Sequence, residues 1–272
     1  MRSFVVCGVV AVVLGLTAPS ALAGQSTNWA GYAVHRPGVS FNRVQGTWRE
    51  PQLTCTPGRE TFSSYWVGIG GYRLRSHALE QVGTEVDCTS AGTVRATAWY
   101  ELIPAPSIPV SLKVPPGDLI KGSVSVHGSR VRVSLRDLTA NRGFSRTLHA
   151  PVVDVSSAEW IVEAPSDCRS TNTCVTLPLG DFGTTMFTGA RARSSSGHVG
   201  TIAYHGWGVS RINLIPRGHA SRLGRHRLGR AGEATTSPLR AGGSAFTVSY
   251  VGGATSLNGA DAGPGQLRHP AR

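Results

Sequence analysis

A period of two runs through most of this chain. Val124 and Val126 share one face of an extended segment. Val131, Val133 and Leu135 share a face of the next, with Arg130, Arg132 and Arg136 opposite. Phe246, Val248 and Tyr250 repeat the pattern near the end. Side chains two apart line the same side of a strand, so this is half-buried antiparallel β-structure. Turn sequences punctuate it at Pro115-Pro116-Gly117-Asp118, His127-Gly128-Ser129 and Asn141-Arg142-Gly143. No long stretch holds a helical period, and 34 Gly and 16 Pro among 272 residues would penalise helix interiors. A helical bundle or coiled coil is excluded, and the recurring β-branched residues argue against disorder. Many short strands in one chain of this length imply a single large all-β domain, a sandwich or a barrel.

The first residues read as an export signal. Arg2 is followed by the apolar run Phe4 to Leu16 and by Ala21-Leu22-Ala23, a small-x-small cleavage site. A retained membrane anchor is the rival reading, for which the run is short. The expected layout is a signal peptide over 1–23, a β domain over 24–251 and a Gly-, Ala- and Pro-rich tail over 252–272. Four cysteines then remain: Cys55, Cys88, Cys168 and Cys174. An even number in an exported chain points to two disulfides. Cys168–Cys174 would close a tight local loop, leaving Cys55–Cys88. Zinc is the alternative, although no CxxC pair is present.

Basic residues outnumber acidic ones 27 to 15, a formal charge of +12. Residues 217–240 hold six arginines and one glutamate. They read either as a solvated loop inserted before the last strand or as a site for an anionic polymer or cell surface. No basic–aromatic module accompanies the charge, so no nucleic-acid partner is expected. Stable membrane insertion is not expected either, and the chain is expected to be a monomer.

No GxSxG, HExxH or phosphate-loop pattern is present. What stands out is acid and amide groups on apolar strands. In Leu79 to Asp87, alternation puts Gln81, Gly83, Glu85 and Asp87 on one face. Thr97, Trp99 and Glu101 share a face, as do Glu159 and Glu163, with Trp160 and Val162 opposite them. Carboxylates are depleted from strands unless exposed or functional. Three such strands imply a polar groove lined by aromatic rings; an acidic solvent face is the other reading. Trp29, Trp48 and Trp160 are read as packing residues, Asp118 as a turn former, the histidines as surface or loop groups, and Trp207 fits either face.

The same residues carry a resemblance. Ser26 to Tyr32, Gly46-Thr47-Trp48, Tyr65 to Gly71, Gln81-Val82-Gly83, Ala98 to Glu101, Pro116-Gly117-Asp118 and Ala158 to Pro165 resemble segments of the glutamic peptidases. These are the eqolisins, peptidase family G1, and the segments follow the family's order. The chain resembles a secreted, bacterial-type member. The resemblance implies a concanavalin A-like sandwich of two curved antiparallel sheets. It implies a catalytic glutamine and glutamate on neighbouring strands of the concave sheet, here Gln81 and Glu163. Glu159 is the competing assignment for the glutamate. Trp66, Glu85 and Glu101, with Glu159, would line the substrate groove. The implied activity is a secreted acid endopeptidase acting on proteins or peptides, with a water-activating Glu/Gln dyad, no covalent intermediate, no metal and no cofactor.

Three departures stand out. Gly70 occupies a position where the family often has Asp. Few residues separate Ala23 from Asn28, leaving no room for the fungal propeptide, and the chain is basic where the fungal enzymes are acidic. The alternative function is a carbohydrate-binding module or glycosidase on the same sandwich, against which Gln81 stands where a second carboxylate would be wanted. A member that has lost activity and only binds is a third reading, which nothing in the sequence requires.

Overall fold

The computed structural model describes residues 23–74, 76–170, 173–216 and 232–252. The expected signal peptide and tail, and most of the arginine-rich segment, lie outside the described residues. Strands dominate the rest. The first nine are β1 (Gly24–Ser26), β2 (Trp29–His35), β3 (Phe41–Arg49), β4 (Thr61–Gly70), β5 (Leu79–Cys88), β6 (Val94–Ile103), β7 (Ile108–Val110), β8 (Leu119–His127) and β9 (Arg130–Asp137). Then come β10 (Arg142–His149), β11 (Ser157–Glu163), β12 (Ser166–Ser170), β13 (Thr173–Thr176), β14 (Thr184–Ser194), β15 (Val199–Thr201), β16 (Gly208–Leu214), β17 (Glu233–Thr236) and β18 (Phe246–Val251).

The main ladder runs β10-β9-β8-β3-β14-β18-β17-β16-β2-β11-β4-β5-β6-β7. Its steps are antiparallel; β1 adds to β16 in parallel. A sheet this wide curls rather than staying open. Here β3 and β8 come to lie on β4, β5 and β11. The result is a sandwich with a back layer (β10-β9-β8-β3-β14) and a front layer (β16-β2-β11-β4-β5-β6-β7). The two layers are joined through the β18–β17 corner, so the sandwich is one continuous ladder. β17 falls inside the segment read from sequence as an inserted loop. Ala234 and Thr236 are buried there and complete the corner.

Alternation sends one face of each layer inward. Trp48, Tyr65, Val67, Val82, Val124, Val133 and Trp160 are fully buried between the layers. Trp160 Nε1 donates to the Gln45 carbonyl of the opposite layer at 2.7 Å. Trp48 Nε1 crosses the other way to Thr84 Oγ1 at 3.0 Å. An indole buried without a partner would leave its N–H unsatisfied, so these bonds also fix the register between the layers. Trp207 resolves to the core, packed against Phe41 and Tyr204.

Cys55 and Cys88 form a disulfide that ties the approach to β4 to the end of β5. Their separation of 33 residues corresponds to about 4 kcal/mol in the chain-entropy account. Cys174 is also in a disulfide, and the backbone of Cys168 lies opposite it in the β12–β13 hairpin. Among the described residues no helix is long and apolar enough to cross a membrane.

Candidate active site

The outward face of the front layer is built by the other half of the alternation. It carries Glu159, Ile161 and Glu163 from β11, and Ser64, Trp66 and Gly68 from β4. β5 adds Gln81, Gly83 and Glu85, and β6 adds Thr97, Trp99 and Glu101. Register places Glu163, Ser64, Glu85 and Thr97 in one row. Glu159, Gly68, Gln81 and Glu101 form a second row. Trp66 and Ile161 form an apolar floor with Leu79, Trp99 and Ala33. A cleft of about 350 Å³ opens on it, lined by Gln81, Glu85, Glu101 and Glu163, with Trp29 and Trp99 as walls. Small residues leave room for the bulky ones on this face. At Gly83 a Cβ would stand 2.4 Å from the Tyr65 carbonyl oxygen and 2.6 Å from Trp66 Cβ.

Glu163 is held by two donors. Asn28 Nδ2 donates to its Oε1 and Trp66 Nε1 to its Oε2, both at 2.8 Å. Burial pushes its carboxyl up to about 7. The Trp66 and Asn28 donors, with the nearby Trp29 indole, oppose that by favouring the charged form, while the nearby Glu101 charge adds to it. The Trp29 ring packs edge-on against Trp66 with centroids 5.0 Å apart, which fixes the indole that points at the carboxylate.

Gln81 is almost fully buried, and its Nε2 donates to Glu101 Oε2 at 2.5 Å. Its Oε1 has no partner among the described residues. Gln81 therefore lines the cleft with one amide N–H unused and its buried oxygen unpartnered. Burial also raises Glu101, against the bonds from Gln81 and the Ser107 backbone. Glu85 is pushed up to about 8 by burial and by its neighbour Asp87, against the pull of Arg95. Asp87 itself pairs with Arg95 at 2.9 Å. At neutral pH the cleft therefore holds fewer charges than carboxyls.

The family model for the Peptidase A4 family matches residues 27–210, more than half of the chain. The chain belongs to that family, the glutamic peptidases or eqolisins. It is thus a peptidase of the glutamic type. Its fold is similar to that of scytalido-glutamic peptidase, solved with a peptide-based transition-state analogue, at a TM-score of 0.63 and 23% identity. That match covers 83% of this chain and 98% of the other. SCP-B, an eqolisin solved with the tripeptide Ala-Ile-His, gives 0.60 and 22% over the same shares. Aspergilloglutamic peptidase from Aspergillus niger is 27% identical over 70% of this chain and 99% of its own, with a TM-score of 0.49. No curated protein sequence matches the chain.

Within this peptidase the groove residues expected from sequence fall into two sets. Gln81, Glu85, Glu101 and Glu163 line the cleft. Gln81 and Glu163 are not on neighbouring strands, because β4 lies between β5 and β11. Trp66 and Glu159 are fully buried and do not line the open cleft. Trp66 acts on it through its N–H. Burial raises the Glu159 carboxyl well above the usual range, and Asp154 and Glu80 add to that. Gly70, the departure from the family pattern, has φ +88°, and a Cβ there would meet the Asp154 carbonyl oxygen at 2.4 Å. No side chain fits, and Asp154 itself supplies a carboxylate nearby, bonded by Ser76 Oγ and the Gly71 N–H.

Two functional positions escape sequence reasoning. Asn28 precedes β2, so no period marks it, although it sits inside one of the resembling segments. Trp29 was read as packing, yet it is half-buried and walls the cleft. Among the described residues no three His, Cys, Asp or Glu side chains converge to hold a metal ion.

Proposed function

We propose that this protein is a secreted endopeptidase in which Glu163 and Gln81 activate one water against a peptide carbonyl. The observation that carries this is the pairing of a carboxylate steadied by two fixed donors with an amide that has one N–H and its oxygen still unused, in one cleft. Glu163 takes a proton as the water attacks and returns it to the leaving nitrogen, work worth roughly 10²–10⁴-fold in rate. Gln81 accepts a hydrogen bond from the water through Oε1. It also donates Nε2–H to the developing oxyanion, and losing such a donor costs about 10²–10³ in rate. Glu101 fixes the amide, Glu85 adds a protonated carboxyl that can donate, and Trp29 and Trp99 give an extended peptide apolar walls. An export signal and a disulfide-bonded β-sandwich support an extracellular setting.

The pH range follows from burial and crowding. Three carboxyls in one cleft cannot all hold charge. Burial is the main cause that raises Glu163; protonating Glu101 removes only the smaller repulsive part, while the neutral donors remain and favour the charged form. Activity is therefore expected to rise as Glu163 ionises at about 7 and to be lost as pH rises further through about 8, where Glu85 ionises. The test is hydrolysis of a denatured protein from about pH 3 to about pH 9 for wild type, Glu163→Gln, Gln81→Ala and Glu159→Gln. Glu163→Gln and Gln81→Ala should abolish cleavage, and Glu159→Gln should retain it. Activity that instead climbs to a plateau in the alkaline range, or survives Glu163→Gln, would overturn this reading.

A further inference from the structure

The back layer of the sandwich presents a second surface of opposite character. Its outward side chains alternate with core residues on β3, β8, β9 and β14. They include Arg43, Arg132, Arg136, Arg191 and Arg193, all exposed, and Lys121, half-exposed. Register sets Arg193 against Arg43, and Lys121 against Arg136. Side chains repeat about 7 Å apart along a strand and about 5 Å across strands. The outward positions of these strands carry no carboxylate, and the one acid of β9, Asp137, is fully buried. Among the described residues none of these six cations forms an ion pair. Between them stand hydroxyls and an amide: Ser123, Ser125, Ser134, Thr47 and Gln45. A groove of about 330 Å³ brings Arg43, Arg191 and Arg193 together with Gln45.

We propose that this face binds a linear anionic polysaccharide, with the cleft turned away from it. Like charges held this close repel one another, and an extended polyanion relieves that repulsion at many points. Guanidinium groups suit sulfate and carboxylate, which they can grip through two parallel N–H bonds. The interleaved hydroxyls and amide match sugar hydroxyls. No aromatic side chain stands among the cations, so the face offers no base stacking for single-stranded nucleic acid. The two outer faces of the sandwich point in opposite directions, so a chain bound behind leaves the cleft open to substrate.

The test is binding of full-length protein to dextran sulfate, with neutral dextran, duplex DNA and anionic vesicles as the other arms. It would be run at low salt for wild type, Arg43→Gln/Arg191→Gln/Arg193→Gln and Arg132→Gln/Arg136→Gln. A control, Arg36→Gln/Arg73→Gln/Arg240→Gln, removes the same charge from exposed arginines off this face. Dextran sulfate should bind, weaken steeply with salt, and lose about tenfold or more affinity in the first triple variant, since each lost contact also removes counterion release. The double variant should lose less, the control little, and peptide hydrolysis should stay unchanged in all three. Equal loss in the two triple variants would reduce the effect to net charge and overturn the proposal. So would tighter binding of DNA or vesicles, or no binding of dextran sulfate.

Discussion

At the scale of single residues, the cleft is governed by who donates to Glu163. Trp66→Phe keeps a smaller aromatic ring but removes the N–H bonded to Oε2. A hydrogen bond to a charged group is worth about 1.5–3 kcal/mol, and one pKa unit is about 1.4 kcal/mol. The Glu163 carboxyl should therefore rise from about 7 by roughly one to two units. The ascending limb of kcat/KM against pH should move to higher pH by that amount, with folding intact by circular dichroism. Asn28→Ala removes the other donor and should shift the limb in the same direction. An unchanged limb in both would separate the donors from the proton chemistry. These two partners also show the limits of sequence reading. Trp66 was legible as a groove residue because it sits inside a resembling segment, but not as a buried donor to Glu163. That role depends on where an indole nitrogen points across two strands.

At the scale of strands, β4, β5 and β11 deliver the site only if their small residues stay small. Gly83 on β5 lies between Trp66 and Trp99 in register. Gly83→Ala would push a methyl into the Tyr65 carbonyl and Trp66. Overpacking of this kind costs about 1–3 kcal/mol, so thermal unfolding should move to lower temperature. Because Trp66 is the group displaced, kcat/KM should fall as well; a loss of stability without one would show that the indole tolerates the shift. The faces of these strands could be read from period two alone, since every side chain alternates. Their order could not. Nothing local in the sequence says that β4 sits between β11 and β5, or that Glu233–Thr236 is a strand rather than loop. Pairing energy lies between segments far apart in the chain, and the arginine-rich neighbours of β17 mask its two inward residues.

At the scale of the whole molecule, the unusual feature is the number of buried acids. Glu50 is fully buried, takes bonds from Trp48 Nε1 and Thr84 Oγ1, and is pushed up to about 8 by burial. Glu80 and Glu85 also reach about 8, and Glu163 about 7. Each of these groups binds its proton more tightly in the folded chain than in the unfolded one. Between the unfolded value of 4.5 and the folded values, the native state holds more protons, so unfolding free energy falls as pH rises. The slope approaches about 1.4 kcal/mol per pH unit for each group titrating in that window. The protein should be most stable below about pH 5 and lose stability steadily to about pH 8. Glu50→Gln, which keeps the shape without a titrating proton, should flatten part of that decline. Denaturant midpoints measured across this range check both, and a midpoint that rises with pH would contradict the protonated core.

What the sequence determined by itself was the β class, the inward and outward face of each strand, and the identities of Gln81, Glu85, Glu101 and Glu163. These are local properties: alternation, turn chemistry and short segments that resemble a family. Only the tertiary structure decided that Glu159 is fully buried away from the cleft while Glu163 lines it, because two acids of equal parity differ only in what covers them. It also decided that Gly70 has no room for a side chain, since Asp154 reaches that spot from far along the chain. Finally, it decided that scattered arginines gather on the face opposite the acids. Charge along a chain is one-dimensional, and only the pairing of strands turns it into two surfaces of opposite sign.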